Sequence, residues 1–121
     1  MFNFEKLDVW REAIKFADLV YSVTRTFPGE ERFGLISQMR RAAVSISSNI
    51  AEGSSRLSRA DFARFVEIAT GSVFEVVSQS AVSRRQGCLK EADYQRLYAA
   101  AEQQSKMLSG LSRRQQINYA T

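Results

Sequence analysis

The chain has 121 residues, 45% hydrophobic and 25% charged, which is the composition of one globular domain long enough to bury a core. It has no histidine and one cysteine, Cys88, which excludes Ser-His-Asp and Cys-His catalysis, imidazole ligation of zinc and an intrachain disulfide. The net charge of +4 is compatible with a nucleic-acid or other acidic partner, and equally with plain solubility.

No apolar run approaches the roughly 18 residues of a membrane span, and no basic, apolar and small-residue series opens the chain. A cytoplasmic protein with no membrane partner is therefore expected.

The first helix is expected from about Glu5 to Thr26. Leu7, Trp10, Ile14, Ala17 and Tyr21 recur at three- and four-residue steps, and Ala13, Phe16, Val20 and Val23 widen that stripe. Phe27-Pro28-Gly29 stops it, because proline disfavours a helical residue before it and glycine permits the turn. Glu30 and Glu31 suit the positive end of a second helix, expected from Glu30 to Gly53.

Gln38 to Gly53, QMRRAAVSISSNIAEG, is the most unusual stretch. At 3.6 residues per turn, Leu35, Met39, Ala42, Ala43, Ile46, Ile50 and Gly53 share one broad face, whose small members Ala42, Ala43 and Gly53 suit close approach of another helix. Arg41, Ser45, Ser48 and Glu52 run along its edge. Gln38, Arg41, Ser45, Asn49 and Glu52 are expected to form a partly buried polar network, bonded to neighbouring helices or subunits.

Ser58 with Asp61 three residues later fits an N-terminal cap for a third helix, Arg59 to Gln86. Phe62, Phe65, Val66, Ala69, Val73, Val76 and Ser80 form its inner face. Ile68, Gly71, Phe74 and Val82 fall outside that face and, with Val44, Ser47 and Ala51 of the second helix, predict a second buried surface between subunits. Gly87 reads as a C-cap. A fourth helix follows from Lys90 to Arg113, with Tyr94, Leu97, Ala101, Leu108 and Leu111 inward. Short connections favour an all-α, up-down-up-down antiparallel bundle over residues 1–115, with a disordered tail at 116–121.

The sequence offers no constellation of catalytic groups. Glu52, Asp61, Glu67 and Glu75 lack the histidines of a di-iron site, there is no glycine-rich phosphate loop, and Gly71-Ser72 reads as a close-packing point inside a helix. No enzyme, cofactor or metal is expected. Cations are more suggestive. The second and fourth helices exit at one end of an up-down bundle, so Arg56, Arg59, Arg64, Arg113 and Arg114 can form a basic rim able to track a phosphate backbone. Two classes of function stay open: a nucleic-acid-binding oligomer, and a structural or adaptor oligomer with a protein partner.

Leu7, Trp10, Ala13, Tyr21, Phe27-Pro28, Glu31-Arg32-Phe33-Gly34-Leu35, Gln38, Arg40-Arg41-Ala42, Ser45 and Asn49-Ile50-Ala51-Glu52-Gly53 carry a resemblance. Phe62, Phe65, Ala69, Gly71-Ser72, Glu75, Met107-Leu108 and Leu111 extend it over nearly the whole chain. Together they resemble the bacterial four-helix-bundle family of proteins encoded in intervening sequences of 23S ribosomal RNA genes. The third helix departs at Val73-Phe74 and Val77-Ser78, where leucines and longer polar residues are more usual. The resemblance implies a ring, typically a homopentamer. The family is similar to the accessory protein of diversity-generating retroelements, a basic pentameric barrel that binds nucleic acid and a reverse transcriptase.

Overall fold

The computed structural model describes the backbone of residues 1–120 and the side chains of residues 1–115. The expected disorder of the tail, 116–121, falls on residues outside that full description.

The described residues form four α-helices: α1 (Asp8–Thr24), α2 (Ser37–Ser54), α3 (Arg59–Arg85) and α4 (Glu91–Ala120). There is no strand among the described residues. Side-chain contacts fix the direction of each pair. Thr24 in α1 meets Arg40 in α2, whereas Phe4, just before α1, lies beside Ala51 near the end of α2. Ser83 donates to the Met39 sulfur and Ser72 to Ser45, so α2 and α3 are antiparallel. Arg84 reaches Glu91 at one end of α3 and α4, while Val66 and Arg113 line one cleft at the other. Gln104 in α4 donates to the Val9 carbonyl in α1, closing the square. The fold is the expected up-down-up-down four-helix bundle.

The core follows the helical stripes. Ala13, Phe16 and Val20 of α1 meet Met39, Ala43, Ile46 and Ile50 of α2, Val66, Ala69, Val73 and Val76 of α3, and Leu97, Ala101, Leu108 and Leu111 of α4. Each fully buried larger side chain contributes about 1.5–3 kcal/mol relative to exposure. The α1 stripe is rotated from the expected one. Ile14 and Tyr21 are exposed, and Val9, Ala13, Phe16, Val20 and Val23 form its buried centre. Ser47, expected outside, is buried, its hydroxyl donating to the Val44 carbonyl of its own helix.

Two helix starts differ from expectation. A 3-10 turn, Asn3–Lys6, precedes α1, and Leu7 is extended between them. Before α2 come a 3-10 turn, Gly29–Glu31, and a wider π-type turn, Arg32–Ile36, in which Gly34 leaves helical torsions at φ −110° and ψ −109°. Regular α2 therefore begins at Ser37, not Glu30. Glu31 still acts as a cap: its carboxylate accepts the Leu35 N–H at 3.3 Å, satisfying a donor that the irregular turn leaves open. The other punctuation matches the sequence. Ser58 Oγ accepts the Asp61 N–H at 2.9 Å, and Gly87 closes α3 at φ 78°, a conformation glycine adopts without penalty.

Gly53 sets the spacing of α2 and α3. A Cβ there would stand 2.8 Å from Phe65 Cβ and 3.0 Å from the Phe62 ring. Gly71, by contrast, faces open space; the close contact at that level comes from Ser72, whose hydroxyl donates to Ser45 Oγ at 2.9 Å.

Candidate functional site

The five arginines expected at one end are brought to that end. Arg56 follows α2, Arg59 and Arg64 occupy the first turns of α3, and Arg113 lines a cleft with Val66 and Glu67, about a turn from Arg64. Arg114 is exposed beside it. The Arg56 and Arg64 guanidiniums both lie over the Phe65 ring, at 4.8 and 5.1 Å from its centroid. Such cation–π contacts hold the charges in place while leaving N–H donors free for an anion. Arg113 donates to Ser109 at 3.1 Å, and Arg56 pairs with Glu52 at 2.9 Å. Glu52, Asp61 and Glu67 temper the charge of this end.

The opposite end is also basic, and cations there are held by rings and polar partners in the same way. Arg40 stands 4.5 Å from the Tyr21 ring centroid and donates to Thr24. Arg84 stands 3.8 Å from the Tyr94 centroid and pairs with Glu91, whose carboxyl is held below its ordinary range by the Gln95 amide and by Arg84. Partial burial and the carboxylates of Glu31 and Glu30 push the Cys88 thiol up, so it is protonated and a poor nucleophile at neutral pH. Among the described residues no group of His, Cys, Asp or Glu could hold a metal, and no helix is long and apolar enough to cross a membrane.

The polar stripe of α2 differs from expectation within one chain. Glu52 is exposed and its partner is Arg56, one turn along, rather than a neighbouring helix. Gln38 and Arg41 are also exposed. Asn49 donates to Ser45 Oγ and to the Ser45 carbonyl of its own helix. Only Ser45 reaches across, to Ser72. The reason is angular: small neighbours bring the helix axes close, but Arg41 and Glu52 point past the line of contact.

The outward apolar residues are where the sequence put them. Val44, Ile68, Phe74 and Val82 are exposed, Phe74 by 64%, and Gly71 is open. Tyr98 of α4, absent from the sequence reading, joins Phe74 in a groove of about 460 Å³ between α3 and α4. Val73, Val77 and Ser78, in the segment that departs from the family pattern, line the same groove. Tyr98 sits one residue beyond the inward Leu97, and an i, i+1 pair on a helix gives no hint of a groove.

Relatives agree with this architecture. A crystal structure of a protein of unknown function from the S23 ribosomal protein family of Bacteroides thetaiotaomicron VPI-5482 superposes with a TM-score of 0.79 at 23% identity, over 86% of this chain and 97% of that one. At that identity the likeness speaks for the fold. No curated protein matches the chain. The family model for 23S rRNA-intervening sequence proteins matches residues 5–110, nearly all of the bundle, and the chain belongs to that family.

Proposed function

We propose that this chain is a non-enzymatic subunit of a closed homo-oligomer, a ring of five by the family resemblance, and that its basic end binds the backbone of nucleic acid. The observation that carries the binding is the pair of guanidiniums held over Phe65, with Arg59 between them in sequence and Arg113 and Arg114 at the same end. Cations already positioned lose less side-chain entropy on meeting a phosphate than free ones do. A ring repeats a weak contact and multiplies it when one strand reaches several subunits.

Assembly is supported by Val44, Ile68, Phe74 and Val82, apolar side chains exposed along the outer faces of α2 and α3. Light scattering at micromolar concentration should give a multiple of the 13.7 kDa chain mass. Phe74→Arg should shift that mass toward the monomer, because a charge would be desolvated at the contact. A monomer mass for the wild type would overturn the assembly.

A second reading, an adaptor oligomer for a protein partner, is favoured by the apolar α3–α4 groove at Phe74 and Tyr98. Salt separates the two. Phosphate contacts weaken steeply as salt rises, whereas an apolar interface is much less sensitive.

A further inference from the structure

The basic end holds an aromatic row that the arginines do not account for. The turn Asn3–Lys6 folds the start of the chain against the exit of α2. Glu5 fixes it twice: its carboxylate accepts the Phe2 N–H at 2.9 Å, and its carbonyl accepts Arg11 Nη1 at 2.7 Å. Phe2 then lies nearly parallel to Phe4, with ring centroids 5.8 Å apart and planes 15° apart. Phe4 in turn leans on Trp10 at 4.9 Å.

Phe4 and Trp10 are half-buried and close the edge of the core, but Phe2 is 72% exposed. Its ring is oriented by the row beneath it while most of its surface meets solvent. Beside it is a cleft of about 280 Å³, walled by Phe2, Phe4, Ala51, Ser54 and Ser55. The next residue in the chain is Arg56, held over Phe65. An oriented aromatic face thus stands at the same end of the bundle as a fixed cation, with the exit of α2 between them.

We infer that this end takes single-stranded nucleic acid in preference to duplex, with one base stacked on Phe2 while the arginines of the same end hold phosphates elsewhere along the strand. The inference rests on the basic-end reading above and adds the chemical form of the ligand. Bases in a duplex already stack on each other and offer no free face, whereas a single strand offers every base, whatever its identity. Asn3 brings one side-chain amide to the cleft, while the Ser54 and Ser55 hydroxyls already donate to the carbonyls of Ala51 and Glu52. Stacking on Phe2 itself selects for strandedness and tolerates any base.

The test is fluorescence anisotropy of labelled oligo(dT) and of the oligo(dA)·oligo(dT) duplex at low salt, with wild type, Phe2→Leu and Phe2→Trp. Phe2 is exposed, so these changes leave the fold intact, which circular dichroism verifies. Wild type should bind the strand more tightly than the duplex. Phe2→Leu, which keeps apolar bulk but removes the ring, should weaken strand binding about ten-fold and leave duplex binding unchanged. Phe2→Trp should retain strand binding. Equal affinity for strand and duplex, or a Phe2→Leu variant that binds the strand as wild type does, overturns the stacking site while leaving the arginine rim standing. Absence of binding to either form overturns the rim and the stacking site together.

Discussion

Gly53→Ala should destabilise the chain by about 1–2 kcal/mol and lower its melting temperature by roughly 5 °C. The expected sign is the reverse of the usual one. Within a helix, alanine is favoured over glycine by about 1 kcal/mol. At Gly53 the added methyl would stand 2.8 Å from Phe65 Cβ, an atom fixed to the α3 backbone that cannot swing aside. The helices must separate, and overpacking of this kind costs about 1–3 kcal/mol. Gly110→Ala is the control. It lies within α4, and its Cβ would meet only the tip of Arg114 at 3.8 Å, so it should gain about 0.5–1 kcal/mol. Thermal melts of the two variants should move in opposite directions. A Gly53→Ala melt at or above wild type would show that α2 and α3 are not in the close contact described here.

Replacing Arg56, Arg59, Arg113 and Arg114 together with glutamine should reduce nucleic-acid affinity for all sequences alike. If each arginine neutralises one phosphate, the slope of log affinity against log salt should fall by about 3. Stability should change little. These side chains are exposed, and the Arg56–Glu52 pair that is lost is a surface pair of the kind worth about 0–1 kcal/mol. Arg64 remains over Phe65, so the ring keeps one of its two cations. Binding isotherms across a salt series check the slope, and light scattering checks that the oligomer survives. A variant with wild-type slope would remove these arginines from the site.

The bundle was legible because its signals are local and redundant. Met39, Ala43, Ile46 and Ile50 repeat at helical spacing, Ser58 and Gly87 mark the ends of α3, and short connections leave little choice of topology. The start of α2 was not legible. Glu30 and Glu31 look like a helix N-terminus, but Gly34 breaks the torsions and the Glu31 carboxylate bonds to Leu35 in place of a regular first turn. The polar stripe shows a second limit. A helical wheel orders Arg41, Ser45 and Glu52 around an axis but does not give the width of the neighbouring helix, and only Ser45 falls inside it. Gln104 was missed for the opposite reason. It reads as surface on α4, yet it is buried because the Val9 carbonyl of α1 accepts its amide at 3.1 Å, a match that exists only once the bundle closes. The aromatic row is similar: Phe2, Phe4 and Trp10 have no common periodicity until the turn at Asn3–Lys6 lines them up.

The central claim is that one end of this bundle engages a phosphate backbone, and titration of wild-type protein into labelled single-stranded oligonucleotide, at low and then physiological salt, tests it most directly. The account predicts saturable binding at low salt that weakens steeply and log-linearly as salt is added. No binding at low salt, or an affinity indifferent to salt, would contradict it.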